Sequence, residues 1–270
     1  GGTKLPLVDP DKGMLTALAD QFLKADAFND IYDWVTGMLG AEWEEHPYSD
    51  LIPADDEITI FLCDIPYSPF GTIVGYYWSR DNFFRTSFPE YPGDPLPYSN
   101  QRIMFTIDAV LYATGDGTWE YTDPWPQEMY STLAHEFQHM IHFYQRDVLR
   151  NAVVKGDTWI NEMASQVTED LLSDKMGVPG PRGVAGGDGT AGAADNTSGR
   201  LPDFNEYNDI SLDDWGGSGD VLQSYSISYA FGAWLARNYG GAALTSATFT
   251  NAGTYTLLAA STNITVQAGA

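Results

Sequence analysis

Residues 131–145 read STLAHEFQHMIHFYQ, and within them His135-Glu136-Phe137-Gln138-His139 has the spacing His-Glu-x-x-His. On an α-helix, side chains four residues apart share a face one turn above one another. Two imidazoles so placed can converge on one zinc ion at about 2.0–2.1 Å. Glu136 falls on the adjacent sector, near the ion but not on it, where a carboxylate can take a proton from a water that the ion activates. The segment has the pattern of a helix. Leu133, Phe137, Met140 and Tyr144 recur at i, i+4, i+7 and i+11 as one apolar stripe, with the two histidines on roughly the opposite side. A helix that is apolar on one face and carries ligands on the other must be covered on both, which suits the floor of a cleft between two lobes.

A catalytic zinc needs a third protein ligand and one open position. His142 lies on the same face, but it is seven residues from His135, about 10 Å of helical rise, too far for one ion. The His-Glu-x-x-His-x-x-Gly-x-x-His solution fails as well, because position 142 is His and position 145 is Gln145. His142 therefore reads as a structural or supporting residue, and His46, among acids in EEHPYSD, as a solvated one. The better third ligand is Glu162 in DTWINEMASQ. It opens the next helix, with Asp157 or Thr158 as N-cap and Ile160, Met163, Val167 and Leu171 as the buried stripe. The first helix runs about 16 Å past His139, and a return loop over 151–157 can span up to about 24 Å, which brings Glu162 level with the histidines.

The chain around these residues has 270 residues, with 13 Lys and Arg against 37 Asp and Glu, a formal net charge of −24. So acidic a chain is repelled by phosphate backbones and anionic membrane surfaces, which excludes nucleic acid as a partner. The acidic surface leans instead toward basic peptides. No apolar run is long enough to span a membrane, and the first residues do not resemble a secretion signal, so any signal was removed before this sequence begins. With 43% hydrophobic and 14% aromatic residues, a sizeable core is assured. The single Cys63, in the strand-like EITIFLCDI, excludes an internal disulfide and a multi-cysteine zinc site; it reads as a buried thiol. The acids Asp188, Asp195, Asp203, Glu206, Asp209, Asp213, Asp214 and Asp220 are hard oxygen ligands that could hold Ca2+, although no EF-hand spacing is present.

The elements that must position the site divide the chain near residue 125. Residues 13–40 read as helical, 57–65, 71–79 and 102–112 as strands, and the proline-rich stretch before residue 102 as an irregular loop. After TDPWPQ the pattern turns helical, over roughly 126–150, 158–175 and 221–239, with a long Gly- and Asp-rich connection between the last two. This is an α+β chain: an N-terminal lobe over 1–125 with a small mixed sheet, then a mainly helical lobe over 126–270 that carries the zinc helices.

HEFQH followed by INEMAS resembles the gluzincin metallopeptidases and, more narrowly, the hyicolysin-like family of secreted bacterial peptidases. FNDIYDWVTGMLG, DEITIFLCDI, VGYYWSRDNF and YSISYAFGAWLARNYGG are similar in kind and order to segments of that family. The resemblance implies a two-lobed, thermolysin-like zincin fold and a zinc-dependent endopeptidase acting on proteins or peptides. It also implies a secreted or cell-surface bacterial protein, expected to be a monomer. An antiparallel edge strand that pairs with extended substrate is implied too, and residues 102–112 are the candidate. Finally, it implies a late Tyr or His that supports the oxyanion. No histidine follows His142, so Tyr225, which matches the tyrosine of aminopeptidase N-like enzymes counted back from Gly240-Gly241, takes that role, with Tyr229 as the alternative. Where thermolysin-like enzymes have an aspartate four residues after the glutamate ligand, this chain has Gln166. Two rival readings remain: a non-catalytic surface adhesion protein on the same fold, which an intact Glu136 opposes, and a metalloaminopeptidase, whose Gly-x-Met-Glu-Asn signature is absent.

Overall fold

A computed structural model describes residues 14–24, 30–55, 57–65, 73–87, 98–108, 124–151, 157–178, 180–182, 199–217 and 220–249. Seven α-helices and three strands are described: α1 (Met14–Phe22), α2 (Ile31–Leu39), β1 (Thr59–Cys63), β2 (Gly75–Tyr77), β3 (Met104–Asp108), α3 (Pro124–His142), α4 (Thr158–Met176), α5 (Arg200–Glu206), α6 (Val221–Tyr239) and α7 (Ala242–Phe249). The α+β class is what these elements form.

The N-terminal helical stretch is two helices. Helix α2 begins where the Asp30 carboxylate accepts the Asp33 N–H at 3.1 Å, and it ends at Gly40, whose φ of +96° suits a residue without Cβ. Ile31, Val35 and Leu39, one turn apart, form its fully buried face. The sheet order is β1-β3-β2, with β1 parallel and β2 antiparallel to β3. Residues 102–112 were the expected edge strand, but β3 is hydrogen-bonded on both sides and all five of its residues are buried, so the middle of the sheet is its place. Among the described residues, the antiparallel strand with one neighbour is β2. Residues 109–112 lie outside the described ones.

Helix α3 runs beneath β2 and β3 and against α2. Phe137 is the hinge of this core, packing edge-on to Phe22 at 5.0 Å and stacking on Tyr32 at 5.5 Å. At Phe143–Val148 the helix widens into a π-helical turn, closed by a bond from the Leu149 N–H to the Tyr144 carbonyl at 2.8 Å. That turn keeps both Phe143 and Tyr144 against the Trp43 ring. On its other side α3 meets α4, and α4 in turn meets α6. The α4–α6 crossing is tight at Gly232: a Cβ there would lie 2.5 Å from Met163 Cγ and 2.7 Å from Val167 Cγ2. Ala164 and Leu172 of α4 belong to the same core as the sheet and α3, whereas Met163 and Val167 belong to a smaller one shared with α6 and α7. Helix α4 is thus buried on most of its circumference, and polar side chains on it have to find partners.

Candidate metal centre

Two turns of α3 and the start of α4 set the site. Leu133, Phe137, Met140 and Tyr144 are all buried, as their spacing predicts, and this seats α3 on the core with His135 and His139 turned toward α4. Helix α4 starts after Asp157, in extended conformation, and places Glu162 one turn in. His135 Nε2 lies 3.1 Å and His139 Nε2 3.5 Å from Glu162 Oε2, and one donor atom from each of the three residues falls within 4.8 Å of the others. A tetrahedral ion bound at about 2.0–2.1 Å holds any two donors about 3.3–3.4 Å apart, so the set has the size of a zinc site. Burial acts against ionising Glu162, but His139 and His135 outweigh it and hold the carboxyl well below the usual range.

The far side of each imidazole is also engaged. His135 Nδ1–H donates to Glu169 Oε1 at 2.7 Å, and Ser131 donates its hydroxyl to the other oxygen of Glu169. A carboxylate in this position fixes the tautomer that leaves Nε2 for an ion. The Ser165 hydroxyl rests against the edge of His139, 3.2 Å from Nδ1 and 3.4 Å from Nε2, and donates to Gln138. Gln166, four residues after Glu162, ties two helices together instead. Its Nε2 donates to the Tyr225 carbonyl at 3.1 Å and to Ser228 at 3.3 Å, fastening α4 to α6. Glu169, seven residues past Glu162, was not among the expected site residues. The signal was the seven-residue step, which returns a helix to the same face.

Glu136 is buried beside the cluster. The backbone of Tyr77 on β2 hydrogen-bonds it, and its Oε2 has no hydrogen-bond partner among the described residues. Burial pushes its carboxyl above the ordinary value, and the two imidazoles pull it back only in part. Gly75 makes the approach of β2 possible: a Cβ there would lie 2.7 Å from Thr132 Cγ2 and 3.1 Å from Glu136 Cγ.

Tyr225 projects from α6 with its ring 6.5 Å from that of His135 and edge-on to Trp215 at 4.8 Å. Burial, then the carboxylates of Glu162 and Glu136, push its phenol far above the ordinary value, so it stays a donor at neutral pH. Tyr229 faces a different group, Asp170 with Arg237. His142, buried, is held by Asn161 at 2.6 Å and is not part of the cluster. His46, expected to be solvated, packs on Trp43 at 5.1 Å, with Nε2 2.8 Å from the Ile52 carbonyl. The half-buried Cys63 has a thiol pushed up by burial and by Asp108 and Asp64. Among the described residues the acids Asp203, Glu206, Asp209, Asp213, Asp214 and Asp220 form no group of three ligands, and nothing supports a calcium site there; Asp188 and Asp195 lie outside the described residues.

Two imidazoles and a carboxylate thus meet from successive helices as a candidate metal centre, with one oxygen of a second carboxylate, Glu136 Oε2, unpartnered beside them among the described residues. Residues 8–269 match the family described as Peptidase M30, and the chain belongs to that family. Over 188 residues it is also 25% identical to the neutral metalloprotease ShpI of Staphylococcus hyicus, a match that takes in 67% of this chain and 35% of that protein. The chain therefore spans about a third of the length of the curated relative it matches. No helix among the described residues is long and apolar enough to cross a membrane.

Proposed function

We propose that the chain is a zinc-dependent endopeptidase that hydrolyses internal peptide bonds of proteins. The observation that carries this reading is the meeting of His135, His139 and Glu162 at donor separations suited to one zinc, next to the buried and unpartnered Oε2 of Glu136. His135, His139 and Glu162 would hold the ion. Its contribution when bound is Lewis-acid polarisation of the scissile carbonyl and acidification of a water molecule. Glu136 takes the proton of the attacking water on Oε2 and returns it to the leaving amine nitrogen. Tyr225 donates its phenolic hydrogen to the oxygen that gains charge, a contribution of about 2.7–4 kcal/mol for donors of this kind. Glu169 keeps the His135 ring in register.

In this reading the fold is a two-lobed zincin, with lobes over 1–125 and 126–270, and extended substrate adds to the free edge of β2, whose Tyr77 backbone already contacts Glu136. A location outside the cell rests on the family resemblance. The test is zinc content together with casein hydrolysis for the wild type and Glu136→Gln. One zinc per chain in both proteins, with hydrolysis lowered by about 10²–10⁴-fold or more in the variant, is the expected result. Equal hydrolysis in the two would refute the assigned base.

A further inference from the structure

Arg200 opens α5, where its backbone N–H is tied to the Pro181 carbonyl at 2.7 Å. From there the side chain reaches the Tyr225 ring and holds its guanidinium carbon 4.9 Å from the ring centroid. The same tyrosine lies beside Glu162 and Glu136, so Arg200 is one side chain removed from the metal cluster. Among the described residues its charge meets no carboxylate, unlike the charges of Arg182 and Arg237. Arg182 and Arg237 both clamp Asp170, at 2.8 and 2.6 Å. The acid nearest to Arg200 along its own helix, Asp203, accepts the Ser226 hydroxyl at 3.1 Å. In a chain with 37 acidic residues, no carboxylate among the described residues meets the half-buried Arg200 guanidinium. Stacking on an aromatic face satisfies the charge but engages none of the five N–H donors, which among the described residues remain free to grip a planar acceptor.

We propose that Arg200, braced on the Tyr225 ring that Trp215 meets edge-on, forms a subsite that selects a carboxylate on the peptide substrate. This rests on the peptidase reading above and adds a substrate class to it. The carboxylate comes either from an Asp or Glu side chain near the cleaved bond or from the free C-terminus of a short peptide, since a guanidinium fork takes both alike. The preference runs against the net charge of −24, which on its own draws basic peptides. A local acid preference is therefore separable from the field of the whole chain.

The experiment uses N-acetylated, C-amidated peptides that are identical except for Glu or Gln at one position, scanned over two residues on either side of the cleaved bond. A further pair is neutral throughout and ends in a free carboxylate or an amide. The ratio of kcat/KM within each pair is measured for the zinc-loaded wild type, Arg200→Lys and Arg200→Met. Binding of the same pairs to Glu136→Gln, with and without Arg200→Met, is followed by calorimetry. The wild type should favour the carboxylate member of at least one pair by about tenfold or more. Arg200→Met should bring that ratio within twofold of unity, and Arg200→Lys should keep part of it. A response confined to the terminal pair identifies the C-terminus as the source, and a response at one scanned position identifies a side chain. Ratios near unity in the wild type, or a preference that survives in Arg200→Met, overturn the proposal. Absence of cleavage by the wild type, with an Arg200-dependent preference retained in binding, would sink the peptidase reading and leave the carboxylate subsite standing.

Discussion

Helix α4 carries two buried carboxylates, Glu162 and Asp170, each set between two nitrogen bases. At Asp170 the bases are the guanidinium groups of Arg182 and Arg237, at 2.8 and 2.6 Å. The result is a fixed tie between α4, α6 and the turn at 180–182. At Glu162 the bases are His135 and His139, which can shed a proton and offer a lone pair instead. The same arrangement therefore yields a structural clamp further along the helix and a candidate ion-binding site near its start. Glu162 is further distinguished by what stands behind its partners: Glu169 and Ser131 fix His135 from the rear.

Substitutions at the two ends should separate these roles. Glu162→Gln should abolish stable zinc binding and hydrolysis while leaving a folded protein, as read by metal content and circular dichroism. Asp170→Asn should do the reverse, costing about 3 kcal/mol of unfolding free energy in a denaturant titration with zinc content kept. A buried pair that loses one partner costs about 3–5 kcal/mol, and the 45% exposure of Arg237 moderates this. If Asp170→Asn emptied the site as fully as Glu162→Gln, the two ends would not be independent. Glu169→Gln should weaken zinc binding by about 10–100-fold in a chelator competition, with hydrolysis recovering at high zinc. Gly232→Ala, which drives a methyl into Met163 and Val167, should cost about 1–3 kcal/mol of stability and weaken the hold of α6 on α4.

The smallest effect expected is one of pH. In the metal-free protein burial opposes charging of His135, but the hydrogen bonds to Glu162 and Glu169 outweigh it and raise the imidazole well above its ordinary 6.5. A raised pKa contributes stability that is present in full below the unfolded value and is lost as pH rises through the folded one. Zinc takes the neutral ring and must displace that proton, so its affinity should grow by up to about tenfold per pH unit for each proton released. The zinc-induced rise in Tm should accordingly be larger at pH 8 than at pH 6. An affinity flat across that interval would mean that the metal-free site carries no proton.

Much of this centre was legible in the sequence because helices advertise their faces. The stripe through Leu133, Phe137, Met140 and Tyr144 marked α3, and Ile160, Met163, Val167 and the half-buried Leu171 marked α4, so the meeting of His135, His139 and Glu162 followed from spacing. Strand order is not encoded in that way: 102–112 has the composition of any strand, and nothing local says that β3 lies between β1 and β2. Helices α5 and α7 were hidden for a related reason. One is short with no buried residue, and the other is rich in Ala and Thr, so neither shows a clear stripe. Gln166, which departs from the thermolysin-like aspartate, fastens α4 to α6, and the carboxylate behind His135 sits three residues further along. Glu169 was within reach of the same helical arithmetic that found Glu162.

The most direct measurement is a crystal structure of the zinc-loaded protein with anomalous data collected at the zinc edge. One peak is predicted, with His135 Nε2, His139 Nε2 and a Glu162 carboxylate oxygen each about 2.0–2.2 Å away and Glu136 outside the coordination sphere. A peak elsewhere, or an ion held by the histidines with Glu162 turned to solvent, would contradict the account.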